Sequence, residues 1–436
     1  MKKLLKLTAL IISLVLALSC VSCSHGGGKN DEDADFPSKG ALKSLKAVEG
    51  VPQVYTAEFE GDYFLEEAIG ANIKTAAELL GYLRNHVRTW EAEESTNPIK
   101  INVQGAACSS IVAKRKNTDG TVDGYIYGRN FDWHPGASLI LHTKPSNGFE
   151  SVSTCFLEFV SMNPDWAPNN KTDNNLLALS CIYVPMDGMN EKGLYIANLQ
   201  NDTDPVMPAD GETSKKYVQT TVAIRYILDN FDTVDKAVNW LKTINMCPVY
   251  AEIKSFDPDT GKMEHEFPDY HFAIADNTGK SVVVEWVNGE VKVVNSKIVT
   301  NNHLATYDPL HDMGICDTDQ DGNIDDADLT VIEENNLYPG SSSESRFIRL
   351  WKKHNDEMTA KEIQEALEDV QQSNSVWSAI FEPSEKRVTY YFRKANVFEG
   401  VQIPADVHNH EDPLYPAYRE AKDHPMNYKK AVVVQF

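Results

Sequence analysis

The 436-residue sequence predicts an α+β fold whose strands pair mainly as antiparallel hairpins. Two observations carry this expectation. Short apolar, β-branched runs alternate with polar turns containing Gly, Asn and Asp between residues 108 and 392. Two stretches with helical spacing, Thr220 to Asn230 and Val234 to Ile244, interrupt the strands. Hydrophobic residues make up 42% of the chain, ample for a large core.

Taken in order, Ala107 to Ala113 and Tyr125 to Trp133 flank the turn Lys116-Asn117-Thr118-Asp119-Gly120 and predict a first hairpin. Ser138 to Thr143 and Ser153 to Phe159 read as strands. Asp187 to Gln200 begins as a turn and ends as a strand. In the two helices, Val222, Ile224, Ile227 and Leu228, then Val234, Ala237, Val238 and Leu241, form stripes that should pack on a sheet. Thr233 and Asp235 are cap candidates for the second. Tyr270 to Asp276 and Ser281 to Trp286 form a hairpin, and Asn288-Gly289 turns into a third strand. Val299-Thr300-Asn301-Asn302 is expected to close that sheet, and His271 to be a satisfied core histidine. Ser345 to Arg349 should be helical; Val376 to Phe381 and Arg387 to Phe392 make a last hairpin.

Lys and Arg total 41 against 64 Asp and Glu, a net charge of −23. This argues against nucleic acid or an anionic membrane surface as partner. The seven cysteines show no metal-ligand or disulfide-scaffold spacing. Residues 1–23 have the form of an export signal: basic Lys2, Lys3 and Lys6, then apolar Leu7 to Leu18. The segment ends with small residues before Cys20 and Cys23, the pattern of a bacterial lipoprotein, so one of these two is the expected lipidated residue. The expectation is an exported protein that meets the membrane only through a lipid anchor. Residues 24–42 should be a flexible linker and 43–107 a prosegment with a helix between Ala68 and Val87.

The chemistry centres on Cys108. A cysteine thiol ordinarily titrates near ~8.5 and needs a base to attack an amide at neutral pH. If the chain is cut between Ala107 and Cys108, the freed α-amine, with a reference pKa of about 7.7–8.0, is that base. Gly105, Ala106 and Ala107 leave the bond uncrowded. Arg129 and Asp132 lie on the returning strand, where their charges could tune the thiol and amine.

Here the sequence resembles the choloylglycine hydrolase family and its acid-ceramidase-like relatives. The resemblance rests on Cys108-Ser109-Ser110, on Gly128-Arg129-Asn130-Phe131-Asp132 and on Asp187-Gly188-Met189-Asn190-Glu191-Lys192-Gly193-Leu194. It continues in Thr300-Asn301 and Ser345-Arg346-Phe347-Ile348-Arg349, all in the family's order. It implies an Ntn-hydrolase fold, a four-layer αββα sandwich spanning 108–436. It also implies hydrolysis of a non-peptide linear amide through a thioester, without a catalytic cofactor. Cys108 would be the nucleophile, with Arg129 and Asp132 its positioning partners. Asn301 would be an oxyanion donor, and Arg346 an active-site arginine that could hold an anionic substrate. A second oxyanion donor falls at Gln200 by counting or at Asn198 on the same strand face. Conjugated bile acids, N-acyl amino acids or ethanolamines, and penicillin-V-like amides are the implied substrates. Two other readings fit: an acyltransferase, or an inactive calcium-dependent binding protein on the same scaffold.

One stretch lies outside that pattern. Residues 317–328 fit the calcium loop D-x-D-x-D-G, with Asp317, Asp319, Asp321, Asn323, Asp325 and Asp328 at positions one, three, five, seven, nine and twelve. Gly322 sits at the sharp turn. The expectation is a structural clip holding Ca2+, with Asp317, Asp319, Asp321, Asn323 and Asp328 as ligands.

Overall fold

The computed structural model describes residues 38–436 apart from 74–77, 80–81, 83–106, 134–135, 162–165, 170–171, 202–213, 248–252, 258–261, 267–268, 288, 306–314, 334–341, 373 and 393–430. The signal segment with Cys20 and Cys23 and most of the linker lie outside the described residues, as does much of the helix expected over 68–87.

Two sheets face one another. The first has nine strands among the described residues: β1 (Lys46–Ala47), β2 (Val54–Glu60), β5 (Ser138–Lys144), β6 (Ser151–Phe156), β7 (Asp187–Asn190), β8 (Tyr195–Asn201), β9 (Asp269–Ala275), β10 (Ser281–Val287) and β11 (Glu290–Asn295), in that spatial order. The second is built on the hairpin β3 (Ala107–Lys116) and β4 (Val122–Asp132). It runs β12 (Ile298–Val299), β3, β4, β14 (Ser375–Glu382), β15 (Arg387–Phe392), β16 (Val432–Gln435), and β13 (Glu357–Met358) also pairs with β3. Within these two sheets the described pairing is antiparallel except for β2 with β5 and β13 with β3.

Helices cover both outer faces. Helix α1 (Thr220–Asn230) packs on β7 and β8, and α2 (Val234–Leu241) on β10. Helix α3 (Ser343–Lys353) packs on β3 and β12, and α4 (Ala360–Asp369) on β3, β4 and β14. This is the expected four-layer α+β sandwich. Between the sheets, Tyr127 stacks on Tyr195 at 5.1 Å, and Ser110 hydrogen-bonds the Tyr195 hydroxyl at 2.9 Å. The Thr154 hydroxyl donates to Tyr390 at 2.9 Å. Helix α4 comes close because residue 128 is glycine: a Cβ there would lie 2.6 Å from Ile363 and 2.9 Å from Ile111.

Four expectations change. Residues Val299 to Asn302 do not close the first sheet. After β11 the chain crosses over, and β12 joins the second sheet with Val299 opposite Ser110. An apolar pair of residues fits either sheet's edge, so sequence alone does not choose. The segment Asp187 to Gln200 is a complete hairpin, its turn closed by Asn190 accepting from the amides of Lys192 and Leu194 at 3.1 and 3.0 Å. Strand β6 ends at Phe156, where its partner β5 begins at Ser138. The linker stops earlier than 42: Ser38–Ser44 form a helix with Ala41 buried against β2.

The segment before Cys108 is part of the first sheet. β2 pairs with β5 along its whole length, from Val54 opposite Ser138 to Glu60 opposite Lys144. Phe59 is fully buried. The Tyr63 phenol donates to Asp229 of α1, and the Tyr183 phenol donates to the Tyr63 carbonyl.

Candidate active site

Strands β3 and β4 bring the first motifs together. In their register Cys108 lies opposite Phe131, Ser110 opposite Arg129 and Ala107 opposite Asp132. Cross-strand partners share a face, so Cys108, Ser110, Phe131 and Arg129 point between the sheets. Arg129 is fully buried. Its Nε donates to Asp187 Oδ2 at 2.8 Å and its Nη2 to the Asn198 carbonyl at 2.6 Å. Asp187 also accepts from Trp377 Nε1 at 3.0 Å, and Trp377 stacks on Phe131 at 4.1 Å. Burial pushes the Asp187 carboxyl up, while Arg129 and Trp377 pull it down.

The other face of β3 is held from the helical layer. Arg346 of α3 donates through Nη1 to the Cys108 carbonyl and, at 3.0 Å, to Ser109 Oγ. Its Nη2 donates to Asn301 Oδ1 at 2.7 Å. The same Asn301 oxygen accepts from the Cys108 nitrogen at 2.9 Å. Asn301 Nδ2 donates to the Gln200 carbonyl at 2.6 Å, and its backbone N–H donates to Ser343 Oγ at 2.7 Å. Asp132 accepts from the Ser375 hydroxyl.

Cys108 is thus buried among two guanidinium groups and a carboxylate. Burial pushes its thiol above the ordinary range, and the Asp132 charge adds to this. Arg129, a backbone hydrogen bond to Asp132 and Arg346 act in the opposite direction.

The structure therefore gathers Cys108, Arg129, Asp132, Asn301 and Arg346 in one place, with Asn198 and Gln200 on the adjoining β8. The details differ from the expected roles. One N–H of the Asn301 carboxamide is taken by the Gln200 carbonyl. Gln200 meets Asn301 through its backbone, and Asn198 meets Arg129 through its own. The Asn198 side chain is buried, and its Oδ1 has no hydrogen-bond partner among the described residues. Arg349 is apart from the site; its Nη1 donates to the Asp369 carbonyl at 2.7 Å. Sequence reasoning passed over Asp187. It opens the Asp187-to-Leu194 motif, and an acid there had a signal: a buried Arg129 requires a partner.

Residues 108–391 match the linear amide C–N hydrolases, choloylglycine hydrolase family. The chain belongs to this family. Among curated proteins it is similar to a penicillin V acylase of Pectobacterium atrosepticum, 30% identical over 127 residues, 29% of this chain and 31% of that one. It is also similar to a bile salt hydrolase/transferase of Clostridium perfringens, 25% identical over 193 residues, 43% of this chain and 52% of the relative. The matches thus span about a third and about half of the length of these two relatives. Among solved structures it resembles a mutant of the conjugated bile acid hydrolase from Clostridium perfringens, with 17% identity, 65% of this chain, 89% of that one and TM-score 0.43. It also resembles penicillin V acylase from Agrobacterium tumefaciens, with 16% identity, 65% and 83% coverage and TM-score 0.39.

A second cluster lies in the loop at 317–328. Carboxylate oxygens of Asp317, Asp319 and Asp321 come within 4.8 Å of one another. The side-chain oxygens of Asn323 and Asp328 accept hydrogen bonds. Asn323 Oδ1 accepts from Asn295 Nδ2 at 3.0 Å, and Asp328 Oδ1 from the Thr318 amide at 2.8 Å. The loop is tied to β11 by Asn295 N donating to the Gly322 carbonyl at 2.8 Å.

Proposed function

We propose that the chain hydrolyses a non-peptide linear amide, with Cys108 as an amino-terminal nucleophile freed by self-cleavage after Ala107. The observation that supports this best is the hold on the Cys108 nitrogen. Asn301 Oδ1 already accepts from it at 2.9 Å, and Arg346 fixes both that oxygen and the Cys108 carbonyl. Once freed, the nitrogen is an α-amine at the same anchor, beside its own thiol.

In this reading the amine takes the thiol proton and the sulfur attacks the substrate carbonyl carbon. A carboxamide of β8, that of Asn198 or Gln200, donates to the developing oxyanion. The ammonium returns its proton to the leaving amine, which leaves a thioester. Water, deprotonated by the same amine, releases the acid and the thiol. Asn301 holds the amine, a role that fits its geometry better than donation to the oxyanion. Arg129, balanced by Asp187, lowers the energy of the thiolate. The candidate substrates are conjugated bile acids, N-acyl amino acids or ethanolamines, and penicillin-V-like amides; the names of the relatives support the first and last.

The protein is also proposed to be exported and anchored by lipid on Cys20 or Cys23. Asp317, Asp319 and Asp321 would hold a structural calcium ion; their closeness supports it.

The test is N-terminal sequencing and intact mass of wild type and Cys108→Ala, followed by assay of acyl release. A fragment beginning at Cys108, absent from the variant, and an acid product are expected. A chain that stays whole at mildly acidic and neutral pH and releases no acid would sink the reading.

A further inference from the structure

Away from the thiol, β9 and β10 carry a buried pair that reaches across to the loop after β12. His271 Nδ1 lies 3.0 Å from Glu285 Oε1, and its Nε2 lies 2.8 Å from the Thr300 carbonyl. Both residues are fully buried. A carbonyl oxygen only accepts, so the ring nitrogen that bonds Thr300 does so as a donor. Glu285 in turn accepts from the backbone amides of Leu304 (2.9 Å) and Ala305 (2.8 Å) and meets His303 Nδ1 at 3.0 Å. Burial alone would push its carboxyl up; the hydrogen bonds and charge of His271 and His303 hold it well below the usual carboxylate range.

The contacts bracket one short stretch of chain. His271 fixes residue 300, Glu285 fixes residues 303 to 305, and Asn301 and Asn302 stand between them. Strand β9 reinforces the bracket, because Tyr270 pairs with Gln200, whose carbonyl accepts from Asn301 Nδ2. The first sheet therefore sets the position of a loop that leaves an edge strand of the second.

We infer that His271 and Glu285 are positioning residues for Asn301. Resting on the reading of Cys108 and Asn301 above, they hold the Thr300–Asn301 peptide so that Asn301 Oδ1 meets the Cys108 nitrogen. Neither touches substrate. A two-residue β12 gives this loop little stiffness of its own, and small misplacement of a reacting group costs rate steeply.

The test compares wild type, His271→Asn, Asn301→Ala and the double variant. Asparagine can still donate to Glu285 but is too short to reach Thr300. In His271→Asn, kcat for acyl release is expected to fall about tenfold, with KM within about twofold. The pH midpoint of Cys108 alkylation should shift as it does in Asn301→Ala. In the Asn301→Ala background, His271→Asn should lower kcat no further, although it still lowers melting temperature. Losses that multiply, or a folded His271→Asn with wild-type kcat and alkylation midpoint, would overturn the inference. Should His271→Asn not fold, Glu285→Gln replaces it with the same expectations. The 15N shifts of His271 in the wild type also decide: an unprotonated Nε2 overturns the inference. A wild type that hydrolyses no amide would instead overturn the hydrolase reading, and the alkylation midpoints would still judge this one.

Discussion

Arg346 holds Cys108 by its carbonyl oxygen, from the face of β3 opposite the thiol, and shares Asn301 Oδ1 with the Cys108 nitrogen. A guanidinium in this place acts as a fork between backbone and carboxamide. Lysine offers a point charge without the fork. Arg346→Lys should therefore lower kcat about tenfold or more and leave KM nearly unchanged. If Arg346 instead held a substrate carboxylate, KM would rise and kcat would be spared.

The Cys108 thiol has a predictable response to its neighbours. Its raised value means that thiolate is scarce at neutral pH and grows as pH rises. Arg129 lowers that value, so Arg129→Met should move the alkylation midpoint up. The Asp132 charge raises it, so Asp132→Asn should move the midpoint down. Alkylation rate against pH, followed on the Cys108 peptide, measures both. Equal midpoints in the two variants would contradict this electrostatic account.

The segment before Cys108 should remain after cleavage. β2 is hydrogen-bonded along β5, Phe59 is fully buried, and Tyr63 is bonded to Asp229. Native mass spectrometry of processed protein should show both pieces together, parting only in denaturant. Phe59→Ala should cost about 3–5 kcal/mol of stability, read from denaturant unfolding of the uncut chain.

Calcium should act on stability rather than chemistry. Saturating calcium at about a hundred times Kd would add about 2.7 kcal/mol, a rise of a few degrees in melting temperature that chelation reverses. Asp319→Ala should abolish the rise. Identical melting curves in calcium and in chelator would remove the proposed clip.

Glu285 gives a stability signature with a definite sign. Its folded value lies below the unfolded one, so the stability it contributes is present above the ordinary glutamate value and is lost as pH falls. Glu285→Gln should be less stable than wild type at neutral pH, and the gap should narrow on acidification. Denaturant unfolding at several pH values checks this.

What the sequence revealed was local. The Cys108–Asp132 hairpin was legible because two short strand-like runs flank a polar turn containing Gly120, all within 26 residues. Helix α1 was read to its last residue because its apolar stripe sits on a sheet. What was missed is non-local. Asp187 and Arg129 stand 58 positions apart in the chain. The sheet that β12 joins depends on which edge lies open, and the place of β2 depends on a partner far along the chain. Asn301 was found by resemblance, but which end of its carboxamide faces Cys108 depends on Gln200 and Arg346 together.

Strands β2 and β3 are consecutive among the described residues yet lie in different sheets. A cut before Cys108 therefore breaks a connection between the layers and severs only Ala107, the first residue of β3, from its ladder. Before the cut, folding is a unimolecular event. Afterwards the same fold, once lost, must be rebuilt by two chains that find each other. The processed enzyme would then persist through the slowness of its unfolding, and dilution after denaturation would make the loss permanent.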